Sequence, residues 1–168
     1  MTDLKRAASL GLLVAAAGFF GWSGWTYWQS THDDSLAFAK ARDQVVRAGR
    51  QEIADLNTVD NRNVDAGLNR WLNASTGPLH DQFQRTTLEN KLSIQQGGTR
   101  ATGTVTDLAV TELDTRAGDA KVIATVQVET IAASGSTSTD RKRFEAVLTR
   151  TGNAWKLGSL TAIPVNAS

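Results

Sequence analysis

The chain has 168 residues, room for one domain of ordinary size and little more. Removing Asp3, Lys5 and Arg6 from its 18 basic and 17 acidic residues leaves 16 of each, and a near-neutral remainder without a basic stripe sets nucleic acid aside as a partner. The absence of cysteine excludes disulfides, thiolate metal sites, cysteine nucleophiles and a lipoprotein anchor, so an apolar core has to hold the domain.

No charge interrupts Ala7 to Trp28, and Leu10 to Phe20 is almost wholly apolar. At about 1.5 Å per residue this run is roughly 30 Å of helix, the thickness of a bilayer's hydrocarbon core. The reading is a stub at 1–6, a transmembrane anchor at 7–28 and an extracytoplasmic domain at 29–168. Lys5 and Arg6 before the run and Asp33 and Asp34 after it place the N-terminus in the cytoplasm. Leu12, Phe19 and Phe20 meet the lipid, and Trp22, Trp25 and Trp28 crowd the exit end, where amphipathic rings settle at headgroup level. A cleaved signal peptide is the competing reading, because Ala15-Ala16-Ala17 has an A-x-A pattern. Ala17, Gly21 and Gly24 share a helical face, a weak signal for self-association of the anchor.

The helical part of the domain is expected at 33–96. Leu36, Ala39, Asp43, Val46, Ala48 and Ile53 predict a long helix with a thin, alanine-rich stripe. A second helix is expected to start at Thr58 or Asp60, to bury Val64, Leu68, Trp71 and Leu72, and to end at Gly77-Pro78. A third runs from about Leu79 through Phe83 and Leu88 to Leu92, stopped by Gly97-Gly98. The sheet part, 99–164, reads as four antiparallel strands separated by Arg116 to Asp119, Ser134 to Ser138 and Gly152-Asn153. Val122, Ala124, Val126 and Val128 share one face of the second strand, and Phe144, Ala146 and Leu148 one face of the third. Alternation in the first strand breaks near Thr106-Asp107, which predicts a β-bulge. The expected class is α+β: three helices on the apolar face of a curved four-stranded antiparallel sheet, a cone.

Taken in order, several stretches resemble the mammalian-cell-entry (Mce) associated membrane proteins of actinobacteria. They are the charged stub, the aromatic-ended anchor, the helix Ala37 to Ala54, Leu56 to Asp60, Trp71 to Gly77 and the closing Thr151 to Leu157. The polar residues after Trp71-Leu72 depart from that pattern. The resemblance implies a fold like the nuclear transport factor two-like cone and like the outer domain of the type IV secretion inner-membrane assembly factor. It implies an accessory role beside lipid-importing Mce transporters, with a partner protein and no catalytic residues to carry over.

Such cones also host enzymes, which need a base in an apolar pocket. His32 lies beside the membrane segment, and His80 with Asp81 at a helix start is the better candidate, although a solvated pair is the simpler reading. Glu112, Glu129 and Glu145 fall on outward strand positions. Gly97-Gly98 lacks the lysine of a phosphate loop, Arg141-Lys142-Arg143 reads as a solvated edge, and Trp155 as a core residue closing the sheet. No catalytic, metal or cofactor-binding residue and no cofactor is expected. The leading expectation is a non-catalytic accessory protein of an envelope transport complex, Mce lipid import first, with the bilayer and transporter proteins as partners. The alternatives are an assembly factor for a secretion or conjugation apparatus and a small-molecule-binding or enzymatic cone dependent on His80.

Overall fold

The computed structural model describes residues 35–164. The expected stub and anchor, with Leu12, Phe19, Phe20, Trp22, Trp25 and Trp28, lie outside the described residues, as does His32. The chain divides into two compact units, residues 1–40 and 41–168; of the first, only a helical stretch at 35–40 is described. No helix among the described residues is long and apolar enough to cross a membrane.

Helix α1 is described over 35–56. Its buried stripe runs through Val45, Gly49 and Ile53, four residues apart, with Ala48 and Glu52 half-buried beside it. The expected stripe was set off this line: Asp43 is exposed and Val46 only half-buried. Gly49 is the reason, because a Cβ there would stand 3.0 Å from Leu108 Cδ1, so the sheet approaches α1 at a residue that carries no hydropathy signal. At its end, Asn57 Nδ2 and Thr58 Oγ1 donate to the Ile53 and Ala54 carbonyls at 2.8 Å each. These bonds stop the helix where the expected second one was to begin.

Instead, Val59–Asp60 forms a short strand, β1, and α2 starts only at Val64–Ala74. Asp60 Oδ1 accepts the Arg62 N–H at 3.0 Å, turning the chain between them. In α2, Val64 and Leu68 are buried as expected, whereas Trp71 and Leu72 are half-buried. Trp71 Nε1 donates to the Asp55 carbonyl at 3.0 Å, tying α2 to the end of α1. Gly77-Pro78 does not end α2; it opens α3, Gly77–Gly97, where proline in the first turn has no N–H to lose. The α3 helix buries none of its residues fully. It rests on Leu79, Phe83 and Ile94, all half-buried, while Leu88 and Leu92 are 70% and 49% exposed. Gly98, at φ 59, caps it in the left-handed conformation, as the Gly-Gly stop requires.

The sheet is antiparallel with order β1-β2-β3-β4-β5, adding β2 Arg100–Asp114, β3 Asp119–Ile131, β4 Thr137–Thr151 and β5 Ala154–Ile163. The described fold is therefore α+β, three helices and a five-stranded sheet, one strand more than the sequence pattern gave. The extra strand is β1, whose two residues pair with Arg100 and Ala101 and are too few to display an alternation. The expected bulge is present between Val105 and Asp107, with a second between Val110 and Glu112. Val122, Ala124, Val126 and Val128 of β3 and Phe144, Ala146 and Leu148 of β4 are buried, and with Val45, Ile53, Val105, Trp155 and Leu157 they form the core. β5 ends at Ile163, opposite Arg143, so among the described residues Thr137 to Lys142 form an edge, whose polar and charged residues discourage further pairing.

Candidate interaction surface

On the solvent side of the sheet, one row runs Asp107, Thr125, Arg143 and Ile163, and the next runs Ala109, Ile123 and Glu145. Outward strand positions are ordinarily polar, yet Ile123 and Ile163 remain 42% and 36% exposed. With Leu108, Ala109, Arg50 and Arg143 they line an open groove of about 560 Å³ at the first bulge. The bulge shapes it: Arg50 reaches from α1 to the carbonyls of Val105 and Thr106 at 3.1 and 3.5 Å, occupying acceptors that the irregular ladder leaves free. The Arg143 side chain makes no hydrogen bond or ion pair with a described residue, so its guanidinium is available at the groove. An apolar strip beside an available cation can bind an aliphatic and acidic surface.

His80, the sequence's catalytic candidate, has a different employment. Its Nδ1 donates to the Leu72 carbonyl at 3.0 Å, and Ser75 Oγ donates to the Trp71 and Leu72 carbonyls at 2.8 and 3.3 Å. Together they satisfy the end of α2. Asp81 is exposed beside it, and the described residues contain no cluster of three or more His, Asp or Glu that could hold a metal. Glu112, Glu129 and Glu145 are exposed, Glu112 being paired with Lys121 at 2.9 Å. Arg141, Lys142 and Arg143 are exposed as well, and Trp155 is buried in the core, with Arg150 6.0 Å from its ring centroid.

Sequence reasoning missed Glu52. The α1 helix directs this half-buried carboxyl at β5, where Oε2 accepts the Leu157 N–H at 3.1 Å, while the Leu157 carbonyl accepts the Thr76 N–H at 2.8 Å. Both backbone groups that Leu157 turns away from β4 are thus satisfied, one by α1 and one by the α2–α3 junction. Burial pushes the Glu52 carboxyl from 4.5 up to about 8; the Leu157 N–H and Lys156 oppose the rise and Asp55 adds to it. Its only trace in the sequence is an acid four residues after Ala48, on the packed side of α1.

The curated relative "Uncharacterized protein Rv1363c" of Mycobacterium tuberculosis is 23% identical over 161 residues, spanning 96% of this chain. The match covers 60% of that relative, so the chain spans less than two thirds of its length. Among solved structures, an IcmL-like type IV secretion system protein from Legionella pneumophila is similar with a TM-score of 0.61 at 12% identity, over 76% of this chain and 95% of that one. CagV, a VirB8 homolog of the type IV secretion system of Helicobacter pylori, is similar with a TM-score of 0.58 at 10% identity, over 74% of this chain and 99% of that one. At such identities the likeness is one of fold. A family model matches residues 4–164, and the chain belongs to that family, described as uncharacterized protein Rv1363c/MT1408-like.

Proposed function

We propose that the chain is a membrane-tethered, non-catalytic component of a multiprotein cell-envelope assembly, of the kind that builds or steadies a secretion or conjugation apparatus. The observation that carries this is the shared fold, which accounts for 95% and 99% of two proteins whose descriptions name type IV secretion systems. In this reading, residues 7–28 anchor the chain with its N-terminus in the cytoplasm and its domain outside. A common bilayer raises the domain's effective concentration around its partners, so a modest contact surface suffices. The groove strip of Ile123 and Ile163 beside Arg143 supplies that contact.

A second form keeps the topology and makes the assembly an Mce-type lipid importer. What favours it is the sequence resemblance carried by the stub, the anchor and the stretches around Trp71 and Trp155. Purification of the full chain from membranes in mild detergent, followed by identification of bound proteins, separates the two. Secretion-type membrane subunits or their ATPase support the first form, and a permease with Mce-domain proteins supports the second. Recovery of no envelope protein at any detergent strength would overturn both.

A further inference from the structure

Away from the groove, β1, the start of α2 and the start of β2 enclose a polar cleft of about 270 Å³. Arg70 and Arg100 both line it. Arg100 is tied to Asp60 at 3.2 Å, whereas the Arg70 side chain makes no hydrogen bond or ion pair with a described residue. Arg62 and Arg100 line the adjoining cleft, and both guanidiniums act on one carboxylate, Asp60. The nearby acid Asp65 is already held by Lys91 at 2.7 Å. Two further donors on the wall are unused: the Asn63 side chain caps nothing in α2, and the Thr102 hydroxyl has no partner among the described residues. The cleft therefore offers a net positive charge and at least three free donor groups.

That inventory selects among anions. A carboxylate presents two oxygens and is satisfied by one arginine fork, whereas a phosphate presents at least one more and suits two forks with additional donors. The volume is just below the roughly 300 to 1,000 Å³ of pockets that enclose whole small molecules, so a headgroup-sized anion fits better than a cofactor. We propose that this cleft binds a phosphate group, carried either by a small solute or by a lipid headgroup. The site is independent of the sheet-face groove and of the assembly reading.

The test is calorimetric titration of the full chain in phosphate-free maltoside micelles at constant ionic strength. Inorganic phosphate is one probe, and short-chain phosphatidic acid, with the matching diacylglycerol as its uncharged control, is the other. Saturable binding of either phosphate probe is expected, weakened roughly ten- to hundredfold in Arg70→Gln, the loss of a charge-assisted bond. Arg141→Gln, on the distant β4 edge, binds as the parent chain does. Binding of phosphatidic acid alone, with the same dependence on Arg70, assigns the phosphate to a headgroup; binding of inorganic phosphate assigns it to a solute. Should Arg70→Gln prove unfolded by circular dichroism, Asn63→Ala is the substitute and is expected to weaken binding severalfold. Equal affinity in the folded variant and the parent, or no saturable binding of either probe, overturns the proposal.

Discussion

Burial of the Glu52 carboxyl between α1 and β5 makes the stability of the domain depend on pH in a definite direction. The Glu52 carboxyl is held at about 8 in the folded protein against 4.5 as its ordinary value, so the folded state binds that proton more tightly than the unfolded state. Its contribution is complete below the unfolded value, is lost progressively as pH rises from 4.5 to about 8, and changes no further above that. At about 1.36 kcal/mol per pH unit the full interval corresponds to an upper bound of about 5 kcal/mol. The side chain is only half-buried, and solvent screening reduces the expectation to about 2 kcal/mol. For a domain of this size that is roughly 6 to 8 °C of melting temperature. The perturbation is Glu52→Gln, which keeps an oxygen for the Leu157 N–H and removes the titration. Thermal melts of both chains by circular dichroism, from about pH 5 to about pH 9, should show the parent losing this stability while the variant loses much less. Parallel curves across the interval would refute the assignment of the carboxyl to a buried tie between α1 and β5.

Other substitutions follow from the packing. Gly103→Ala is expected to destabilise by about 2 kcal/mol, since its Cβ would meet Asn57 Cβ at 2.5 Å, and Asn57→Gly should recover part of that loss in urea denaturation. Leu148→Ala, at a position with no exposure beside Leu157 and α1, should cost about 3 to 5 kcal/mol by the same measurement. Ile123→Asp, on the exposed strip, should leave stability within about 0.5 kcal/mol while reducing recovery of the membrane partner severalfold in copurification.

Much of the sheet was legible because one of its faces is buried. Alternation in β3 and β4 named Val122 to Val128 and Phe144 to Leu148 correctly, since a one-residue slip would have turned every one of them to solvent. The bulge near Thr106 was legible for the same reason: it is where the alternation changes phase. The helices were read less well. Apolar spacing at Leu88 and Leu92 resembles a buried face, but α3 leans on α2 and β5 through other residues. Gly77-Pro78 signals a chain break without saying on which side the helix lies, and β1 is too short to signal at all. At the candidate surface, Ile123 and Ile163 could be identified only once the solvent side of the sheet was fixed. The approach of Glu52 to Leu157 spans 105 residues and depends on tertiary packing.

Site-specific photo-crosslinking in intact cells tests the central claim most directly. A benzophenone side chain placed at Ile123 should capture one envelope membrane protein in high yield, whereas the same probe at Leu88, on the exposed side of α3, should capture it weakly or not at all. Equal capture from both positions, or no protein adduct at Ile123, would contradict a role in an envelope assembly exercised through this face of the sheet.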